Sequence, residues 1–500
     1  MTKGRQRQRA RKGTPATFRR LQNPFPPVEP LRPEQVERLH HASLELLATS
    51  GMKVLSPEAR ALYQQAGCSV DGEIVRFDPA MVEAVVATAP SVFTLRAREP
   101  DHDLVFGDRH VVFSSVGGPA FVSDREKGRR AGTRAEVQDF LRLVQSLPVI
   151  HQEGGGPFEA LDLPPATRHL ELVLDTVRLT NKNWHANALG RVRAADCIEM
   201  AAISLRTDRA GLADRPAVMA VVNTNTPLTL DGPMAEGLME LSGAGQAVCL
   251  TPFTLAGAMA PATLGGALVL QNAEVLAGVA LTQLVRAGSP VMYGSFTLNV
   301  DMRSGSPAFG TPEYAIAAQA GGQLARRYGL PFRSSSTTSA NSVDAQSAYE
   351  SMMSLWGAVL GGAHLVYHAA GWLEGGLTAS FEKAVIDAEM LQMLAAWMQP
   401  VDTSDDALGL DAIAEVGHGG HFFGSAHTLA RFEKAFYDPI VSDRRNFESW
   451  VEAGSHDAAQ RADATWRRLV AEHEPPPLDA AIDEALVEYV AKRHEEEGDG

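Results

Sequence analysis

The chain has 500 residues, 45% hydrophobic and 21% charged, with a formal net charge of −15. That is enough chain for a large core, and the mixture is that of a folded globular protein, not a disordered one. An acidic body also argues against a nucleic-acid-binding surface, because neutralising phosphates takes clustered Lys and Arg.

The first segment departs from this average. Residues 1–20 hold Lys3, Arg5, Arg7, Arg9, Arg11, Lys12, Arg19 and Arg20 with no Asp or Glu. A nucleic-acid or organelle-targeting arm is one reading; a solvated, disordered basic tail over residues 1–30 is the expectation. The segment has no apolar run of the kind a secretory signal carries. Residues 31–105 read as a helical and mixed elaboration rather than part of a sheet. Val36, Leu39, Leu44 and Leu47 have helical spacing before Gly51, and a second helix is expected over residues 79–89.

From residue 106 to 400 the pattern alternates. Short β-rich segments fall at residues 111–115, 149–153, 183–188, 217–223, 247–253, 290–296, 331–336 and 364–368. Helical patterns follow them at 134–147, 165–179, 194–206, 233–243, 265–287, 312–328, 344–361 and 381–397. Strands alternating with helices imply parallel pairing with crossovers, and eight such units match a closed (β/α)₈ TIM barrel, an α/β fold. An open doubly wound sheet would carry a glycine-rich dinucleotide turn after its first strand, and none stands there. The most apolar stretch, residues 259–285, contains Gln271, Asn272, Glu274 and Gln283, so it reads as a loop and a packed helix rather than a membrane span. Residues 401–500 are expected to form a C-terminal helical appendage, with helices over 429–436, 447–453, 458–473 and 478–492. The three cysteines, Cys68, Cys197 and Cys249, are far apart. They form no disulfide framework or Cys-rich zinc site and suit a reducing cytoplasm.

The β-rich segments share a second property: they turn polar or aromatic where they end. Examples are Ser114-Ser115, Gln152-Glu153, His185, Asn223 to Thr226, Tyr293 to Thr297 and Tyr367-His368. In a barrel such positions converge on the C-terminal mouth, where active sites of this fold sit.

Several segments together resemble a known family. They are Gly417-His-Gly-Gly-His-Phe-Phe-Gly424 with His427-Thr-Leu, Ser442-Asp-Arg-Arg-Asn-Phe-Glu-Ser-Trp450 and Glu474-Pro-Pro-Pro-Leu-Asp479. Upstream stand Met259-Ala-Pro-Ala-Thr-Leu-Gly-Gly266, Tyr293-Gly-Ser295 and Asp344-Ala-Gln-Ser-Ala-Tyr-Glu350. This set, running in order from about residue 30 to residue 492, resembles the trimethylamine methyltransferase family. The resemblance implies a barrel enzyme that moves a methyl group from a methylated amine to the Co(I) of a corrinoid (cobalamin) held by a partner protein, with no tightly bound cofactor of its own. Founding members carry pyrrolysine near the end of the seventh strand; here an ordinary residue, about Thr337, stands at the matching place. Members without pyrrolysine are similar to enzymes acting on quaternary amines such as glycine betaine, and that substrate class is the expectation.

A quaternary ammonium already has a neutral tertiary amine as its leaving group, so its demethylation needs alignment and a desolvated pocket but no general acid. An aromatic and carboxylate cage suits it. Phe253, Tyr293, Phe296, Tyr367 and Trp372 can supply ring faces, and Glu153 or Glu374 a counter-charge. Asn223, Asn225, Ser295, Thr338 or His368 can hold a substrate carboxylate or a water, and His185 can face the ligand. Each has a structural alternative: Phe253 and Phe296 as packing residues, His185 as a satisfied interior histidine, and Glu153, before three glycines, as a strand end at a solvated loop. His418, His421 and His427 invite a metal reading, but their spacing is not a helix-borne zinc pattern and the surrounding glycines argue for a loop, so no metal site is expected. The rival readings are a metal-dependent barrel hydrolase or lyase and a non-catalytic amine-binding barrel. A small methylated amine and a corrinoid protein are the expected partners, with no membrane and with homo-oligomer formation open.

Overall fold

In the computed structural model, which describes residues 20–498, eight parallel strands close into a ring. They are β1 (His110–Ser115), β2 (Gln152–Glu153), β3 (Asn183–Trp184), β4 (Met219–Val222), β5 (Ala247–Leu250), β6 (Val291–Gly294), β7 (Phe332–Ser335) and β8 (Leu365–Ala370). Seven neighbouring pairs are hydrogen-bonded in order, from β1 with β2 round to β8 with β1. The gap between β3 and β4 is spanned by a parallel bridge, His185 to Met219. The ring is a (β/α)₈ barrel, as the alternation of segments implied.

Each strand is followed by its helix: α1 (Arg134–Gln145), α2 (Arg168–Leu179), α3 (Arg191–Ser204), α4 (Gly232–Gly243), α5 (Leu264–Val285), α6 (Pro312–Arg327), α7 (Ala345–Leu360) and α8 (Phe381–Trp397). Their starts are set locally. Thr133, Asp231, Thr263, Thr311, Asp344 and Ser380 each accept a backbone N–H of the first turn, the capping that short polar side chains supply.

By length and composition α5 could cross a membrane, yet it lies inside the protein. The helices Pro33–Thr49, Pro57–Gln65 and Pro79–Val86 cover its outer side. Its polar residues tie it down: Glu274 accepts from Thr226 Oγ1 at 2.7 Å and from the Leu228 N–H at 2.7 Å, and Asn272 donates to Ser43 and Tyr328. Buried polar groups satisfied in this way fix the helix's rotation on the barrel.

The amino-terminal elaboration is less purely helical than its sequence suggests. Met52–Val54, Ser69–Asp71 and Ile74–Arg76 form a small sheet with Thr229–Leu230. A hairpin of Phe93–Leu95 and Leu104–Phe106 packs against Val112, Met219, Ala247, Met292 and Leu365 and closes the amino-terminal end of the lumen. Of the tail expected to be disordered over residues 1–30, residues 1–19 lie outside the described residues, whereas Leu21–Gln22 pair as a short antiparallel strand with Val111 and His110 of β1, held by the buried Leu21.

At the other end of the chain, the helix expected over residues 429–436 is absent; a four-residue helix Ala426–Leu429 stands there instead, followed by turns. With Phe432 and Phe436 both exposed, that stretch has no apolar face turned to the core to hold a helix. Beyond it, α9 (Ala458–Ala471) packs on α8 and α1, and α10 (Ala480–Gly498) on α3 and α2. Trp466 donates to Glu382, and Arg178 pairs with Asp483 at 2.6 Å, fastening both helices to the barrel.

Candidate functional site

Strand pleating decides which residues face the lumen. On β1, Val112 and Ser114 point inward; across the sheet Gln152 and Asn183 share that register. The same alternation turns Met219, Ala247, Cys249, Met292, Arg333, Leu365 and Tyr367 inward. The lower layer is apolar, whereas the upper layer carries rings and polar groups.

At the mouth a run of rings links β3, β8 and β6. His185 stacks on Tyr367 at 4.6 Å, Tyr367 lies 3.9 Å from His368, and His368 lies 4.4 Å from Trp372. Trp372 meets Phe309 at 5.5 Å, and Phe296 stands between Trp372, at 6.2 Å, and Phe253, at 5.7 Å. Two consecutive residues, Tyr367 and His368, can join one cluster because β8 is irregular there. His368 has φ 54°, and the pairing with β1 shifts register between Val366 and Ala370. Tyr367 is pinned by its hydroxyl, which donates to the Gly154 carbonyl at 2.5 Å. Gly117 has to be glycine at this crossing, since a Cβ there would stand 2.0 Å from that carbonyl.

Arg333 is the charged group of this layer. Its side chain is 1% exposed, and its guanidinium carbon lies 5.0 Å from the Phe296 ring centre and 5.1 Å from that of Tyr367. Burial lowers its own pKa, and burial together with its charge holds both histidines neutral: His185 falls to about 3, and His368 lies well below the usual imidazole range. His185 also bonds Gln152 Oε1 through Nε2 at 2.9 Å. Neither histidine therefore carries the extra proton of an imidazolium near neutral pH.

Other residues singled out in the sequence lie elsewhere. Tyr293 and Ser295 face outward to α5, where Tyr293 donates to Asn272 at 3.0 Å and Ser295 to Gln271 at 3.0 Å; in β6 it is Met292 that points into the barrel. Thr338 donates to Glu350 on α7, and Thr337 bonds Ser354 on the same helix. Asn223 and Asn225 are exposed at the end of β4, with the Asn223 side chain donating to the Thr251 carbonyl at 2.7 Å. Glu374 is taken up by Arg129 at 2.6 Å and by Thr378.

Glu153 lies beside the rings rather than among them. Its carboxylate accepts the N–H groups of Gly155 and Gly156, and burial lifts its pKa to about 7. It lines a cavity of about 270 Å³ between β2, β3, α2 and α3, shared with His169, Arg168, Cys197 and one side of His185. Asp196, bonded to His169 at 2.8 Å, is clamped from α10 by Tyr489 and Arg493. His418 and His421 are exposed on the surface, and among the described residues no group of three His, Cys, Asp or Glu side chains is placed to share an ion.

Two members of the layer, Arg333 and Phe309, went unread in the sequence. Arg333 left a signal: it is a lone charge inside Pro331-Phe-Arg-Ser, a segment buried on both faces. Phe309, in the loop after β6, left none.

The family model described as trimethylamine methyltransferase (MTTB) matches residues 1–498. Glycine betaine methyltransferase of Desulfitobacterium hafniense (strain Y51) is 36% identical over 476 residues, covering 95% of this chain and 99% of that protein. Trimethylamine methyltransferase MttB of D. hafniense (strain DSM 10664 / DCB-2) is 29% identical over 469 residues, covering 93% and 94%. The crystal structure of the Methanosarcina barkeri monomethylamine methyltransferase MtmB superposes with a TM-score of 0.48 at 10% identity, covering 90% of this chain and 89% of that one.

Proposed function

The chain belongs to the trimethylamine methyltransferase family, and from that premise we propose that it transfers a methyl group from a quaternary amine such as glycine betaine to the Co(I) of a corrinoid carried by a partner protein. The observation that carries this reading is a buried ring cluster whose two histidines stay neutral. A quaternary nitrogen leaves as a neutral tertiary amine. A tertiary amine leaves as a neutral amine only if it enters as its ammonium ion and keeps that proton, so the quaternary substrate is the one that needs no proton at all.

The corrinoid supplies a nucleophilic electron pair. The pair forms the Co–C bond, the C–N pair passes to nitrogen, and no proton moves, so glycine betaine would yield dimethylglycine. The protein's own part is to bind, orient and keep water out. Ring faces of Trp372, Phe296 and Phe309 attract the cation, and their close packing leaves the reacting methyl desolvated. Asn223 and Asn225, exposed at the rim of β4, are polar groups a docked partner would meet. Free, buried Cys68, Cys197 and Cys249 suit a reducing cytoplasm.

The test is the absorbance change from Co(I) to methyl-Co(III) with reduced corrinoid and a panel of amines. Methylation by glycine betaine and not by trimethylamine is expected. Methylation by trimethylamine alone, or by no amine, would overturn the reading.

A further inference from the structure

A buried guanidinium normally stands beside a carboxylate, because leaving it unpaired in a low-dielectric interior is costly. Arg333 breaks that pattern. Among the described residues it makes no ion pair, and its Nε and one terminal nitrogen are buried with no hydrogen-bond partner. The groups around it, His185, His368, Cys249, Tyr314 and Tyr367, are all neutral. Glu153, the acid on the far side of His185, spends its oxygens on the Gly155 and Gly156 amides.

The two orphaned nitrogens sit at the level of the ring cluster, where the guanidinium is stacked between Phe296 and Tyr367. Nε and Nη1 lie on different edges of the guanidinium, so a carboxylate takes one of them together with Nη2, the paired geometry that a planar fork offers to two oxygens. We propose that Arg333 is the anchor for a substrate carboxylate, so that the site takes zwitterionic betaines and rejects methylated cations that lack the acid group. The proposal rests on the quaternary-amine reading above and narrows it.

The charge works in both directions. A choline or tetramethylammonium cation entering these rings meets the like charge of Arg333, itself 5.0 Å from the Phe296 ring centre, with nothing to offset it. A betaine brings its own counter-charge, bonds one of the orphaned nitrogens, and leaves its ammonium against the remaining faces of Trp372, His368 and Phe309. Attraction of the wanted ligand and repulsion of the unwanted one then come from a single side chain.

The test is calorimetric binding to the full-length protein of glycine betaine, choline and tetramethylammonium, repeated with Arg333→Gln and Arg333→Lys. Wild-type protein is expected to bind glycine betaine on the order of 100-fold more tightly than either cation, the discrimination a charged hydrogen-bonding site can supply. Arg333→Gln is expected to lose that margin, and Arg333→Lys to keep part of it. The wild-type comparison stands even where a variant fails to fold. Equal affinities for the three ligands, no binding of glycine betaine, or a folded Arg333→Gln that keeps the margin would each overturn the anchor. Methyl transfer from glycine betaine without the margin would sink the anchor and spare the transfer reaction. An intact margin with no transfer from any amine would do the reverse.

Discussion

The two ends of the barrel lumen are built from the same eight strands and differ in almost everything else. At the amino-terminal end, the hairpin rings Phe93 and Phe106, stacked at 5.2 Å, close on Val112, Met219, Met292 and Leu365, and the layer is apolar throughout. At the carboxyl-terminal end, Ser114, His185 and Arg333 keep buried polar atoms without partners among the described residues. The lower layer contributes stability and asks nothing of a ligand. The upper layer gives stability away and is completed only by something that binds. Within the lumen, unpaired polar atoms stacked above an apolar layer are the kind of local inconsistency that accompanies a binding site.

The division is broken most directly at the bottom. Phe106 is fully buried, so Phe106→Ala should cost about 3–5 kcal/mol of stability in denaturant titrations. Methyl transfer per folded molecule should be unchanged; a loss of transfer with little loss of stability would mean that the plug and the mouth are one unit. The next effect belongs to Glu153. Its folded pKa is raised from 4.5 to about 7, so between those values the folded state holds a proton that the unfolded state has lost. Stability then falls as pH rises through that window, by about 3 kcal/mol at roughly 1.4 kcal/mol per unit. Glu153→Gln should remove this component from a pH series of unfolding free energies. Coinciding wild-type and variant curves would show the carboxyl to be an ordinary solvated one.

At the mouth the expected effects are kinetic. Trp372→Leu removes one ring face from the cluster, and a cation–π contribution of about 0.5–2 kcal/mol predicts a KM for the amine roughly 3- to 30-fold higher. The nitrogen carries its full charge in the ground state and loses it during transfer, so kcat should hold or rise slightly. A fall in kcat with KM unchanged would place Trp372 outside the substrate cage.

The closed barrel was legible because eight β-rich segments alternate with eight helical patterns, and that periodicity leaves few topologies. Convergence of strand ends brought out His185, Phe253, Phe296, Tyr367, His368 and Trp372 as one cluster. The errors came from pleat parity. Val291-Met-Tyr-Gly294 is apolar on both faces, so nothing in it says that Tyr293 looks outward, and one residue of offset moves a side chain from lumen to helix shell. Ser295 and Thr338 stand just beyond the ends of β6 and β7, where the alternation no longer applies and Gln271 and Glu350 on the outer helices take their hydroxyls. Glu153 was placed by a turn of three glycines whose amides capture its carboxylate, a local geometry that spacing does not report.

Tyr367 tests where the boundary between the two ends runs, because it belongs to both. Its ring packs with the lower cluster of Cys249, Met292 and Leu365, and it also stacks on His185 and under Arg333. Tyr367→Phe keeps the ring and deletes only the hydroxyl that donates to the Gly154 carbonyl. Losing that bond leaves a buried acceptor unpaired and should cost about 1–2 kcal/mol of stability by denaturation, the smallest structural effect of the series. The KM for the amine should move by less than about threefold, since the cation meets ring faces and not this hydroxyl. A KM shift as large as that of Trp372→Leu would mean that the strand-2 turn carrying Gly154 helps to shape the binding surface. The functional layer would then reach down through Tyr367 into what is otherwise the structural half of the lumen.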